Sequence, residues 1–170
     1  APYVSDRDRV QLDAEGSIQY GMYYWDDNYP DSHVFAEGEC LRKTFEPDFM
    51  LYHTMAVDEW GHMKGADSAE YANAVAAVGH LIAARMPEWL EKGYQVVVTA
   101  DHGMNNLGIH VGTEYAQREV ALYIFSDKVE NGRFEENYIS QLNVAPMVCR
   151  LMGVPATEGM KQELEIAFAK

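Results

Sequence analysis

The sequence predicts an α/β fold, a mostly parallel sheet flanked by helices, and three observations carry that expectation. Two apolar runs of strand length, Asp48–Val57 and Tyr94–Ala100, alternate with segments of helical period near 31–45 and 68–86. Each run ends in ionisable residues: Asp58-Glu59-Trp60-Gly61-His62 after the first, Asp101-His102-Gly103 after the second. There is no internal repeat and no low-complexity linker.

Residues 1–30 show no clean period and read as irregular structure with a short strand. Their aromatic group, Tyr20, Tyr23, Tyr24 and Trp25, reads as packing rather than as a platform for a nucleobase. Asp31 is placed to cap a helix that runs to about Phe45, with Pro47 just beyond it. The buried strand 48–57 follows. Asp67 and Glu70 have capping-box spacing for a helix from about Ser68 to Met86, whose face carries Tyr71, Val75, Val78 and Ile82. Pro87 to Lys92 forms a short helix closed by Gly93. Tyr94–Ala100 is a β-branched core strand and Glu119–Phe125 a third strand. Asn143–Met152 is helical, with Pro146 in its first turn and Gly153 as its stop, and a last helix is expected over 157–170.

With 27 acidic and 13 basic residues the formal net charge is −14, a surface that repels nucleic-acid polymers and anionic membranes. It also repels a phosphate ester unless cations neutralise the site. No apolar run approaches the roughly 20 residues needed to span a bilayer, so a soluble chain is expected, with its compartment open. Cys40 and Cys149 form no framework and read as buried thiols.

The chemistry concentrates in Asp58, His62, Asp101, His102 and His110. Sites in open parallel sheets form beyond the carboxyl ends of strands, so two such ends bring the first four together and the following loop returns His110. Two carboxylates and three imidazoles suit zinc, and also manganese or iron. Five ligands exceed one tetrahedral zinc, which favours two divalent cations sharing the set. Two cations carry +4 against −2 from the aspartates, so a further carboxylate, an oxygen nucleophile or a bound phosphate must supply the rest. His33, His53 and His80 read as structural or solvated.

At Asp58-x-x-Gly-His62, Thr99-Ala-Asp-His-Gly-Met104 and His110-x-Gly112 the chain resembles the alkaline phosphatase superfamily, in its type I phosphodiesterase / nucleotide pyrophosphatase branch. Gly65-x-x-Ser68-x-Glu70-Tyr71 and Arg118–Phe125 match the same branch, and the likeness runs from about Pro47 through Gly153. It implies one metal on Asp58, His62 and His110 and a second on Asp101 and His102. It also implies an upstream Asp and a Thr or Ser nucleophile, neither recognisable here, so Thr44, Thr54, Thr99, Thr113 and Thr157 are not assigned that role. One departure is Val111, where a second glycine is commoner.

The expectation is therefore a fragment of a two-metal phosphoryl hydrolase acting on a small phosphate ester or nucleotide. Residues 1–30 would be an insertion, 31–156 the C-terminal half of an incomplete alkaline-phosphatase-like domain, and 157–170 its tail helix. Missing upstream strands would expose an apolar sheet surface open to self-association. A phosphomutase of the same superfamily and a non-catalytic metal- or phosphate-binding remnant are the rival readings.

Overall fold

The computed structural model describes residues 9–24, 26–132 and 138–169; Trp25 of the aromatic group lies outside them. They divide into two compact units. The first runs to Arg85 and adds Ala100–Val120; the second joins Met86–Thr99 to the chain from Ala121 onward.

The first unit opens with a hairpin, β1 (Val10–Leu12) and β2 (Tyr20–Met22), antiparallel with Gln11 opposite Gly21. The aromatic residues here pack: the Tyr20 ring stacks on Phe45 at 3.8 Å, and Tyr24 stacks on Tyr29 at 5.8 Å. Helix α1 spans Asp31–Phe45, as its pattern predicts, but Pro30 is the cap and Asp31 the first helical residue. The Asp31 carboxylate instead accepts the Met55 N–H at 3.0 Å. Arg42 and Lys43 in the last turn oppose the helix dipole.

Asp48–Val57 does not form the expected strand. No ladder pairs it among the described residues, and its last residues turn into α2 (Ala56–Lys64). Pro47 supplies no N–H at its start, and Asp31 takes the Met55 N–H at its end. The segment keeps a strand-like alternation, with Leu51 and His53 exposed and Tyr52 and Thr54 turned inward. Phe49 and Leu51 are left exposed.

Helix α3 (Ala69–Ala83) is capped by Ser68, whose hydroxyl accepts the Tyr71 N–H at 3.1 Å, rather than by the Asp67–Glu70 pair. It packs on α2 and α1, burying Ala74, while Val75 and His80 face solvent.

In the second unit α4 (Met86–Glu91) leads into β3 (Val96–Val98). Strand β3 pairs with β4 (Tyr123–Phe125), and the pairing is antiparallel, Val97 opposite Ile124. The described residues thus hold two two-stranded antiparallel sheets in place of the expected parallel one. Parallel pairing needed a second strand running with β3, and the segment expected to supply it, 48–57, forms no ladder. A 3₁₀ turn (Gln141–Asn143) precedes α6 (Val144–Met152), which ends at Gly153 in the left-handed region. Met147, Leu151 and Ile166 form the buried core of this unit.

The expected tail helix is not formed over 157–169. The buried Asn143 holds the tail in another course, accepting the Glu165 N–H at 2.9 Å and donating to its carboxylate at 3.2 Å. Further on, Phe168 bridges Val129 antiparallel. Among the described residues no helix is long and apolar enough to cross a membrane.

Two consequences follow from the packing of Tyr52 on α1. Its ring stacks on Phe35 and its hydroxyl donates to Glu39 at 3.1 Å, so the ring cannot swing away. A Cβ at Gly38 would lie 2.1 Å from Tyr52 Cε1. Gly→Ala in a helix ordinarily stabilises by about 0.5–1 kcal/mol; here overpacking of about 1–3 kcal/mol outweighs it. Gly38→Ala is therefore expected to lower the denaturant midpoint. Burial, and then the charge of Glu39, also push the Tyr52 phenol well above its ordinary pKa. The folded state holds that proton more tightly than the unfolded chain. Its contribution is complete below about pH 10 and is lost as pH rises through the raised folded value. Tyr52→Phe should flatten the fall of urea stability above about pH 10.

Candidate active site

All five candidate residues belong to the first unit. Asp58 and His62 sit one turn apart on α2, a spacing that puts both side chains on one helix face. The face that a strand end was expected to provide is thus made by the first two turns of a helix. His62 Nε2 lies 3.5 Å from Asp58 Oδ2.

Asp101 and His102 follow β3 after two residues. Asp101 Oδ1 accepts the His102 N–H at 3.0 Å. His102 Nε2 stands 3.7 Å from Asp58 Oδ1 and 3.7 Å from Asp101 Oδ2, so it links the two sequence motifs. The His110 ring stacks on His102 at 3.8 Å and lies 5.0 Å from that of His62. One ligand atom each from Asp58, His62 and His110 falls within 4.8 Å of the others.

Hydrogen bonds fix the imidazoles. His62 Nδ1 is 2.8 Å from the Gly108 carbonyl, and His102 Nδ1 is 3.0 Å from the Gly103 carbonyl. A carbonyl only accepts, so Nδ1 carries a proton, and in the neutral ring Nε2 presents a lone pair to the site. Gly108 is required here: its φ is +74°, and a Cβ would meet the His62 carbonyl oxygen at 2.7 Å.

The donors fit a divalent cation. Ring nitrogens face carboxylate oxygens at 3.5–3.7 Å, too far for good hydrogen bonds. Two ligands at about 2.0–2.1 Å from one tetrahedral zinc lie roughly 3.3 Å apart, close to the Asp58–His62 separation. Asp58 Oδ1 is buried without a hydrogen-bond partner. A cation would satisfy an acceptor in that position.

The remaining histidines are not part of the metal-ligating group found among the described residues. His53 Nδ1 is 2.7 Å from the Tyr24 hydroxyl, His33 meets Tyr29 edge-on, and His80 is exposed. The Thr44 hydroxyl donates to the Cys40 carbonyl within α1 at 2.7 Å. Val111 is 85 % exposed. Cys40 is exposed rather than buried.

Four residues escaped the sequence reading. Burial, then the Asp58 charge, raise the Tyr71 phenol above its ordinary pKa, which places it beside the site. Asn105, Glu114 and Gln117 shape the His110 loop. Asn105 Oδ1 accepts the N–H groups of Leu107 (3.0 Å) and Ile109 (2.9 Å), and its amide donates to Glu114 at 3.2 Å. Gln117 donates to the Ile109 carbonyl at 3.1 Å. The spacing Glu114-x-x-Gln117 was a readable signal, and it forms a capping box on the short helix α5 (Tyr115–Arg118). An Asn in a polar loop carries no comparable mark.

The chain matches the type I phosphodiesterase / nucleotide pyrophosphatase family over residues 11–146. It is 27 % identical over 157 residues to the catalytic subunit of GPI ethanolamine phosphate transferase 3 of Mus musculus, covering 88 % of this chain and 14 % of that protein. The Homo sapiens counterpart is 29 % identical over 117 residues, 67 % of this chain and 11 % of that protein. GPI ethanolamine phosphate transferase 2 of Schizosaccharomyces pombe is 24 % identical over 132 residues, 66 % of this chain and 17 % of that protein. The chain thus spans less than a fifth of the length of these relatives. No solved structure matches it significantly. With a match that takes in all five candidate residues, the chain belongs to the type I phosphodiesterase / nucleotide pyrophosphatase family.

Proposed function

We propose that this chain supplies the metal-holding part of a phosphoryl-transfer site that cleaves a phosphodiester or pyrophosphate. The observation that carries the reading is the convergence of Asp58, His62 and His110 within 4.8 Å, with His102 reaching both Asp58 and Asp101. Asp58, His62 and His110 hold one divalent cation; Asp101 and His102 contribute to a second. Zinc suits the donors best, and manganese is the alternative. Bound there, such cations stabilise charge on the phosphoryl oxygens and on the leaving group.

The chain's own residues do the positioning. The Gly108 and Gly103 carbonyls hold the His62 and His102 tautomers, and α2 holds Asp58 and His62 in register. The two aspartates leave positive charge for a phosphate group to neutralise, so substrate binding depends on a loaded site. A Thr or Ser nucleophile is part of the reading, and no residue of this chain is assigned to it. The names of the relatives favour a second reading of the same site, transfer of ethanolamine phosphate to an alcohol in place of water.

Two measurements test this. Calorimetry with zinc should show one stronger site and one weak one, and Asp58→Ala should weaken the stronger at least tenfold; an unchanged isotherm would refute the ligand assignment. The 170-residue chain with zinc or manganese should give no turnover of a chromogenic phosphodiester above background. Turnover that Asp58→Ala abolishes would show that one of its hydroxyls is the nucleophile after all.

A further inference from the structure

We propose that Asn105 is a positioning residue for the metal centre, acting on His110 through the peptide of Ile109. The inference rests on the ligand set proposed above and adds a residue outside it. Asn105, in a loop, is 8 % exposed and Gln117, on the short helix α5, is 5 % exposed, an unusual depth for two uncharged amides. Their hydrogen bonds converge on one residue. Asn105 Oδ1 accepts the Ile109 N–H at 2.9 Å, while the Ile109 carbonyl accepts from Gln117 Nε2 at 3.1 Å and from the Asn105 N–H at 3.1 Å. Both polar groups of the residue before His110 are therefore held from two directions, which fixes where the His110 Cα starts.

The clamp is itself anchored. The Asn105 amide donates to Glu114 at 3.2 Å, and the Glu114 N–H is held by Gln117 Oε1 at 3.2 Å. The Gln117 carbonyl accepts the Gly103 N–H at 2.9 Å, tying the clamp to the turn that carries His102. The Asn105 carbonyl accepts the Ala66 N–H at 3.1 Å, tying it to the end of α2. His110 makes no helix or strand bond that would hold it otherwise, so this network takes the place of regular structure. Groups behind metal ligands typically change affinity by about 10–100-fold when removed.

A double-mutant cycle separates positioning from general support of the fold. Zinc affinity is measured by calorimetry for the unsubstituted chain, Asn105→Ala, His110→Ala and the pair. Asn105→Ala should weaken binding at least tenfold in the presence of His110 and less than threefold in its absence. Equal losses in both backgrounds, or no loss in either, overturn the proposal. If Asn105→Ala fails to fold, Asn105→Asp with Glu114→Gln decides. That pair keeps the oxygen facing Ile109 and reverses the polarity of the contact with residue 114. It should restore affinity to within threefold, whereas Asn105→Asp alone, with two carboxylates opposed, should not; failure of the pair to restore binding overturns the proposal. A chain that binds no zinc at all removes the ligand reading and this inference together. Tight binding untouched by Asn105→Ala removes only the inference.

Discussion

Carboxylate oxygens face imidazole nitrogens at the centre of the first unit, and the local structure is arranged around that cluster. Asp58 offers two oxygens, one of them buried without a hydrogen-bond partner, and in their neutral forms His62 and His102 turn lone-pair nitrogens toward them. With neutral rings such a cluster is costly unless a cation or a solvent donor joins it, and the proposed reading fills it with a cation. The surrounding backbone makes the arrangement hard to relax. The carbonyls of Gly108 and Gly103 each hold a ring by its other nitrogen, so neither imidazole can turn its N–H inward without losing a hydrogen bond.

The same constraint explains why the site was legible while the architecture around it was not. The residues that matter sit in short motifs whose geometry is local. Asp58 and His62 share a face at i,i+4 on a helix, and Asp101 and His102 are neighbours whatever precedes them. A mistaken strand before Asp58 therefore did not scatter the candidate residues, because α2 presents Asp58 and His62 equally well. The single long-range requirement was that the two motifs meet, and the 3.7 Å approach of His102 to Asp58 satisfies it.

The misread elements were those decided by partners distant in sequence. Residues 48–57 have the composition of a buried strand, but a strand needs a neighbour, and here a side chain from α1 takes the Met55 N–H. The tail after Thr157 has a helical look, yet Asn143 and the stretch around Val129 claim its backbone and side-chain groups. Helices α1, α3, α4 and α6 came through because their periodicity and stops are written within themselves: Pro47 after α1, Gly93 after α4, Gly153 after α6. Propensity and capping are local quantities; pairing is not.

The charge of the whole chain bears on how such a site can work. A formal charge of −14 opposes the approach of any phosphate ester. At distances beyond about 8–10 Å salt screens that field, so the repulsion weakens in solution but persists at contact. Only positive charge concentrated within the ligand cluster can reverse it there, and the described side chains of the cluster bring two carboxylates and no Lys or Arg. On the proposed reading, affinity for an anionic substrate and affinity for cations are then not separate properties of this molecule. Binding one would create the site for the other, and the geometry of three imidazoles would then be the point on which recognition of phosphate turns.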